Sequence, residues 1–193
     1  MFLTKDEQGI LLFIARQSIE SIFEDFPSVP EIDYARHPSL AMQTGCFVTL
    51  TKSKQLRGCI GYISSSTPLG ETIWEVAKLS ALEDPRFPPI SYDEISRVLI
   101  EISVLTPPVP ITNYNEIKIG QHGLILDEPD AHGLLLPQVA TENHFTVDDF
   151  LTALCQKAGA DPFLWRTRFL KIKTFTAEVF REEQHRDLTG ERK

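Results

Sequence analysis

The segment CFVTLTKSKQLRGCIGYI, residues 46–63, decides the fold class that we predict for this chain. Two runs rich in β-branched and aromatic residues flank the polar residues 51–55, and this pattern predicts a β-hairpin with a five-residue loop. Side chains alternate between the two faces of a strand, so Arg57 and Cys59 are predicted to share one face of the second strand. The hairpin thus places a guanidinium beside a thiol.

Two glycines, Gly58 and Gly61, lie inside the second predicted strand. Glycine weakens a strand interior, and it is common where a bulge forms or where a ligand or another backbone segment comes close. The spacing therefore predicts a close approach to this strand, without identifying what approaches it.

The rest of the chain alternates helical and strand patterns around this hairpin. A Thr-x-x-Glu capping box starts the first predicted helix, and three prolines make the following stretch a loop. Thr67 and Pro68 supply an N-cap and a first-turn proline for a second helix. The other predicted elements are a helix at 4–25, a loop at 27–43, a helical turn at 92–97, a strand at 98–105, hairpin strands at 123–126 and 133–136, a helix at 146–157, a turn at 162–165 and a strand at 169–180.

The order strand, strand, helix, short helix, strand occurs twice along the chain, which predicts a structural duplication. The related halves are predicted at about 44–106 and 122–180, within a single domain of residues 1–182. Strands mixed with helices but without strict βαβ alternation favour an α+β fold with a largely antiparallel sheet. Residues 183–193 are predicted to form a mobile tail.

The charge balance and the cysteine content exclude several classes of protein. A formal net charge of −8 at pH 7 disfavours nucleic acid and anionic membranes as partners, because both are bound by clustered Lys and Arg. The first apolar run, residues 10–15, is too short for a signal peptide or a spanning helix, so we predict a cytosolic protein. The three cysteines show no paired spacing, which favours free thiols over a disulfide framework.

Cys59 is the candidate catalytic residue, because a neighbouring cation such as Arg57 stabilises the thiolate, the form that acts as a nucleophile. The alternative is a small buried residue without chemistry, since free cysteine is commonly buried. Arg57 also has two interpretations, a contact for an oxyanion or a partner for a nearby carboxylate. The sequence leaves both pairs of alternatives open.

The loop Asp84-Pro85-Arg86-Phe87-Pro88-Pro89 is the second candidate, because three prolines in six residues hold its side chains in a stiff conformation. Asp84 is predicted to be an orienting carboxylate, Arg86 an anion contact, and Phe87 a ring at the binding site. The alternative is an internal ion pair between Asp84 and Arg86, with Phe87 filling the core.

Two further signals are weaker. Gln138, at the end of the second hairpin, is a candidate binding residue if the related halves pack together, and a turn-stabilising amide is the simpler interpretation. His122 and His132 belong to the same hairpin, but no carboxylate cluster accompanies them, so no metal site is predicted. The sequence contains no Walker loop or dinucleotide fingerprint, so no cofactor is predicted.

These residues carry a resemblance to a known family. Residues 56–61, Leu-Arg-Gly-Cys-Ile-Gly, are similar to the signature of the AMMECR-one domain family, also called AmmeMemoRadiSam system protein A. Ser80 stands where the family usually has Ala, and Phe145 stands where Trp is usual. The match covers approximately residues 4–182, with further blocks in the family's order at 47–50, 84–87, 101–105, 120–123, 136–139 and 157–159.

The resemblance implies an α+β fold of duplicated β(3)-α(2) units around one barrel-like sheet. It also implies a larger and a smaller lobe, with the signature near the cleft between them. Association with a Memo-family protein and a radical S-adenosylmethionine protein is implied as well. The resemblance supplies no reaction, because the biochemical activity of the family is not established.

Two hypotheses about function follow. The leading one is a cytosolic thiol-bearing component of a multi-protein pathway, which binds a small molecule or peptide in the inter-lobe cleft and uses Cys59. The competing one is a non-catalytic adaptor or peptide-binding module, in which Gly58 and Gly61 let a partner chain dock on the strand.

Overall fold

The computed structural model describes residues 3–24 and 28–183. Within them the chain forms two compact units: unit 1 contains the residues up to Val104 and those from Glu178, and unit 2 runs from Leu105 to Ala177. Each unit has its own four-stranded sheet and its own hydrophobic cluster. The hairpin of residues 46–63 belongs to unit 1.

Five helices, eight strands and four short 3-10 turns make up the regular structure of the described residues. The helices are α1 (Lys5–Glu20), α2 (Leu69–Leu82), α3 (Pro137–Glu142), α4 (Val147–Lys157) and α5 (Leu164–Thr167). The strands are β1 (Cys46–Lys52), β2 (Gln55–Tyr62), β3 (Val98–Leu105), β4 (Val109–Pro110), β5 (Gly123–Glu128), β6 (Ala131–Leu135), β7 (Ile172–Phe175) and β8 (Ala177–Arg181). The 3-10 turns are Ser21–Phe23, Pro38–Ala41, Tyr92–Arg97 and Tyr114–Glu116.

In unit 1, helices α1 and α2 share a hydrophobic cluster with a sheet of strand order β2-β1-β3-β8. β1 pairs antiparallel with both β2 and β3, and alternate residues such as Val48 and Ile100 are fully buried. α1 begins at the predicted capping box of Thr4 and Glu7. Burial of the apolar face contributes most of the stability of such helices, because short helices are marginal in water by themselves.

In unit 2, α4 packs against a sheet of strand order β4-β7-β5-β6. Phe150 and Leu154 of α4 are fully buried in one cluster with Leu124 of β5. α4 begins at a capping box in which the Thr146 hydroxyl accepts from the Asp149 N–H. The helix predicted at 146–157 is thus observed as Val147–Lys157, with Thr146 as its N-cap.

The predicted duplication of elements is visible in the strand order. In unit 1 the third strand, β3, pairs with the first strand of the hairpin, β1, and in unit 2 β7 pairs in the same way with β5. The α+β class is confirmed. The single barrel-like sheet is wrong, because the strands form two separate four-stranded sheets with open edges.

The strand predicted at 169–180 is interrupted at Thr176. β7 joins the sheet of unit 2, whereas β8 joins the sheet of unit 1. The content of β-branched and aromatic residues marks extended backbone, but it does not tell which neighbour the backbone pairs with. One predicted strand is therefore two strands of two different sheets.

The first hairpin has a tighter turn than predicted. β1 continues to Lys52 and β2 starts at Gln55, so the loop consists of Ser53 and Lys54. Both loop residues have positive φ, 51° and 65°, as a two-residue hairpin turn of this type requires. Because the residues at these strand ends are polar, the sequence pattern assigned them to the loop rather than to the strands.

The first helix also ends earlier than predicted. α1 stops at Glu20, and a 3-10 turn continues the chain to Phe23. Residues 25–27 lie outside the described residues, as do residues 184–193 of the predicted tail. None of the described helices combines the length and the apolar character that crossing a membrane requires.

Candidate functional site

The hairpin of unit 1 places Cys59 on an edge strand. β2 is the outermost strand of its sheet, and its register pairs Cys59 with Thr49 on β1. The Cys59 sulfur lies 3.3 Å from the Thr49 hydroxyl oxygen, and Cys59 is half-buried. Cys46 and Cys155 are fully buried. Of the three thiols, Cys59 is thus the one that solvent reaches.

Burial also makes the two core thiols less acidic. Burial raises the pKa of Cys46 to about 12, and it raises the pKa of Cys155 as well. A thiol must lose its proton before it can act as a nucleophile or bind a metal. Cys46 and Cys155 are therefore inert core residues.

Two side chains from the end of α2 and the residues after it hold the strand at Cys59. The Ser80 hydroxyl accepts from the Ile60 N–H at 2.9 Å and lies 2.8 Å from the carbonyl oxygen of Val48. Asp84 Oδ2 accepts from the Cys59 N–H at 2.8 Å. Two consecutive backbone donors of the edge strand are thereby satisfied from within the molecule, which fixes the position of Cys59.

Close contacts inside unit 1 explain the two glycines of this strand. A Cβ at Gly58 would overlap the carbonyl oxygen of Ser80, and a Cβ at Gly61 would overlap the carbonyl oxygen of Cys46 and the ring of Phe47. Only a residue without a Cβ fits at such positions. The close approach that the glycines predict is thus made by the protein's own backbone.

Asp84 is buried and Arg86 is exposed, and the two form a bidentate ion pair. Arg86 donates from Nε to Oδ1 at 2.9 Å and from Nη2 to Oδ2 at 2.6 Å. The Arg86 guanidinium holds the pKa of Asp84 well below its usual range, and the N–H of Cys59 adds to the effect. A carboxylate that stays ionised at such low pH suits a positioning role better than proton transfer at neutral pH.

Arg57 is bound to a carboxylate of the loop that follows α2. Its Nε and Nη2 donate to Glu94 at 3.0 and 2.9 Å, and Nη2 also donates to the Pro89 carbonyl oxygen at 3.3 Å. Lys52 donates to the same carboxylate at 2.8 Å. Arg57, followed by Lys52, holds the pKa of Glu94 well below its usual range. Of the two interpretations of Arg57, the structure realises the carboxylate partner.

Phe87 contacts both guanidinium groups of the site. The ring centroid is 5.9 Å from Cζ of Arg57 and 5.6 Å from Cζ of Arg86. Such cation–π contacts are favourable because the face of the ring is electron-rich. The half-buried ring therefore joins the loop to β2.

Three residues of this arrangement were not predicted: Thr49, Ser80 and Glu94. Glu94 completes a capping-box pattern at the 3-10 turn Tyr92–Arg97, and that pattern was a usable signal. Strand alternation gives no register, and a bulge in β2 leaves Arg57 unpaired between the pairs Leu50–Gly58 and Thr51–Leu56, next to the pair of Thr49 with Cys59. The Ser80 side chain, where the family usually has Ala, was a signal at this position, but it does not predict that the hydroxyl links α2 to the hairpin.

Gln138 belongs to unit 2, whereas the other predicted site residues belong to unit 1. It lies in the first turn of α3, and its buried side-chain oxygen accepts no hydrogen bond from the described residues. His122 accepts from the Lys118 N–H at 3.4 Å, and His132 lies 3.7 Å from Asp127. Across residues 3–24 and 28–183, no group of three or more His, Cys, Asp or Glu is arranged to hold a metal ion.

The fold and the site define a class: an α+β protein of two related units, in which an accessible cysteine on an edge strand is held by a buried carboxylate and its arginine. A family model described as AMMECR1 matches residues 12–180 of the chain. This protein belongs to the AMMECR1 family, which confirms the resemblance of its sequence blocks.

Relatives in archaea support this assignment over nearly the whole chain. The chain is 39% identical over 197 residues to Protein PH0010 of Pyrococcus horikoshii, covering 96% of this chain and 95% of the relative. It is 37% identical over 182 residues to Protein MJ0810 of Methanocaldococcus jannaschii, covering 90% of each. The crystal structure of the uncharacterised protein PH0010 matches with a TM-score of 0.84 and 37% identity, covering 94% of each chain. These similarities establish the family and the fold, but no reaction.

Proposed function

We propose that this protein is a thiol-bearing component of a multi-protein pathway, in which Cys59 is the group that contacts the substrate. One observation carries the proposal: Asp84 binds the Cys59 N–H and the Arg86 guanidinium at the same time. One buried carboxylate thereby sets the positions of an accessible thiol and of an exposed cation. A cysteine that only fills space needs no such arrangement.

The residues of the site take distinct roles in this proposal. Cys59 is the reactive thiol, and Arg86 is the contact for an anionic group. Asp84 is a positioning residue, because its four hydrogen bonds go to Arg86 and to the backbone of Cys59 and Arg86. Arg57 fixes the loop through Glu94 rather than contacting the substrate.

The adaptor hypothesis has less support from the same geometry. Docking by β-addition uses free backbone groups on an edge strand. The N–H of Cys59 is already bound by Asp84, and Gly58 lies against the backbone of Ser80. The glycines that favoured docking are therefore needed for internal packing.

Alkylation by iodoacetamide tests the proposed thiol directly. The sulfur loses its proton to the buffer and bonds to the reagent's carbon, while iodide leaves with the electron pair of the carbon–iodine bond. We expect Cys59 to react at least about tenfold faster than Cys46 and Cys155 in the folded protein, because those two are buried. Mass spectrometry of peptides from samples quenched over time gives the rate at each cysteine.

The Cys59→Ser variant is the matched control, since it removes the sulfur and keeps the size of the side chain. Its folded form should show no fast alkylation. A rate at Cys59 no greater than that at the buried cysteines would contradict the proposal.

We extend the proposal to the partners that the family resemblance implies, a Memo-family protein and a radical S-adenosylmethionine protein in the cytosol. Size-exclusion chromatography of the purified proteins from one genome tests this part. We expect co-elution for wild type and for Cys59→Ala. Any activity that the three proteins show together should be lost when the variant replaces wild type. Failure to co-elute with both proteins would contradict the partnership, and full activity of Cys59→Ala would favour the adaptor hypothesis.

A further inference from the structure

Arg86 carries the more exposed of the two guanidinium groups of the candidate site. Its side chain is 54% exposed, against 12% for Arg57. Nε and Nη2 of Arg86 are bound to Asp84, whereas Nη1 makes no hydrogen bond within the described residues. Because the guanidinium is a rigid plane with five donors, its pairing with Asp84 directs the Nη1 donors away from that carboxylate.

Two contacts keep these free donors next to the residue that carries the thiol. Arg86 Nη2 lies 3.5 Å from the carbonyl oxygen of Cys59. Asp84 connects Arg86 to the N–H of the same Cys59. The Phe87 ring, 5.6 Å from Arg86 Cζ, limits the movement of the guanidinium further. The cation is therefore held in place before any ligand arrives.

We infer that the substrate of the Cys59 site is a small organic oxyanion, whose carboxylate or phosphate group binds Arg86 Nη1 while its adjoining carbon meets the Cys59 sulfur. This inference rests on the proposed function and adds the substrate class to it. Charge-assisted hydrogen bonds are about twice as strong as neutral ones. In a chain of net charge −8, a fixed guanidinium beside Cys59 would lower the electrostatic cost of bringing an anion to the thiol.

The ratio of the alkylation rates of Cys59 with an anionic and with a neutral reagent measures the preference of the site for an anion. Iodoacetate and iodoacetamide react with a thiol by the same displacement of iodide, but only iodoacetate carries a carboxylate beside the reacting carbon. The rate with neutral iodoacetamide reports access to Cys59, so the iodoacetate-to-iodoacetamide ratio isolates the attraction of the anion. We expect Arg86→Gln to lower this ratio by about three- to fivefold, the range expected for a partly exposed charge pair.

Arg166→Gln is the matched control, because Arg166 is 57% exposed, pairs with Asp148 and lies in unit 2. It removes the same charge from the molecule without touching the Cys59 site, so the ratio should stay within about 1.5-fold of wild type. An equal ratio in wild type and Arg86→Gln would overturn the inference. It would leave the proposed function intact as long as Cys59 reacts with iodoacetamide. No reaction of Cys59 with either reagent would instead defeat the proposed function itself.

Protection by unreactive anions distinguishes the two kinds of oxyanion. Propionate and inorganic phosphate are added separately to the iodoacetamide reaction, and the one that slows alkylation of Cys59 in wild type but not in Arg86→Gln identifies the bound group. Slowing by neither ion would overturn the inference. If Arg86→Gln exposes the buried Cys46 and Cys155, the protection measured in wild type decides the question by itself.

Discussion

At the scale of single residues, Gly58 and Gly9 have opposite surroundings. Gly58 on β2 lies against the carbonyl oxygen of Ser80, so that no side chain fits there. Gly9 on the exposed face of α1 has no atom within 4 Å of the position that a Cβ would take. The same residue type is required at the first position and is a weakness at the second.

A pair of substitutions measures this difference. Gly58→Ala is expected to lower the free energy of unfolding by about 1–3 kcal/mol, because the new methyl group forces apart α2 and the strand that carries Cys59. Gly9→Ala, the matched control, is expected to raise it by about 0.5–1 kcal/mol, because glycine is costly inside a helix. Urea unfolding measures both. A stabilising effect of Gly58→Ala would show that α2 does not approach the strand so closely.

At the scale of elements, the turn between β1 and β2 has a backbone conformation that is unfavourable for its two residues. Ser53 and Lys54 both have positive φ, a region in which the Cβ of an ordinary residue is crowded by its own backbone. The favoured sequence for a two-residue turn of this kind is Asn-Gly. The tertiary structure therefore imposes a turn that its two residues do not favour.

Lys54→Gly is expected to raise the free energy of unfolding by about 0.5–1 kcal/mol, since glycine adopts a φ of this sign without strain. Lys54→Ala is the control, because it removes the long side chain and retains the Cβ, and no gain is expected from it. The midpoints of thermal or urea unfolding compare the two variants. An equal gain from both would mean that the lysine side chain, and not its backbone conformation, is unfavourable.

Most elements could be predicted because their signals are local. The capping box of α1, the helical spacing of the apolar residues of α4 and the apolar run of β3 depend on residues within a few positions of one another. The break at Thr176 could not be predicted, because both sides of it are extended and only their partner strands differ. β4 and α3 were missed for a related reason, since they have two and six residues and no periodic pattern develops over such lengths.

At the scale of the whole molecule, each unit contains carboxylates that are largely removed from water and paired with arginines. In each case the arginine holds the pKa of the carboxylate below its usual range, to about 2 for Glu128. The pairs are Asp84 with Arg86 and Glu94 with Arg57 in unit 1, and Glu128 with Arg168 in unit 2.

These pairs predict a loss of stability in acid. A carboxyl whose pKa is lower in the folded chain binds fewer protons when folded, so its contribution to stability is present above about pH 4.5 and is lost as the pH falls towards about 2. Trp165 is the tryptophan of unit 2, so its fluorescence in a Trp74→Phe variant follows the unfolding of that unit. We expect its urea midpoint to fall between about pH 5 and about pH 3.

Glu128→Gln in the same background should weaken this pH dependence, because the titrating group is gone. Asp130→Asn removes an exposed carboxylate at the turn between β5 and β6 and should leave the dependence unchanged. Identical pH dependence in Glu128→Gln and the parent would show that the pair with Arg168 does not link protonation to folding.

The sequence by itself determined the α+β class, the first hairpin with Cys59 on its second strand, the repeated order of elements and the family. The first three depend on short sequence patterns, because residues close together in the chain determine local backbone structure. The family follows from sequence blocks that can be compared directly with those of the family. Only the tertiary structure decided that Asp84, 25 residues away along the chain, binds the N–H of Cys59, and that Glu94 rather than the thiol engages Arg57. Those pairings form because α2 packs on the hairpin and brings segments together that are distant in the sequence. No local pattern predicts that packing.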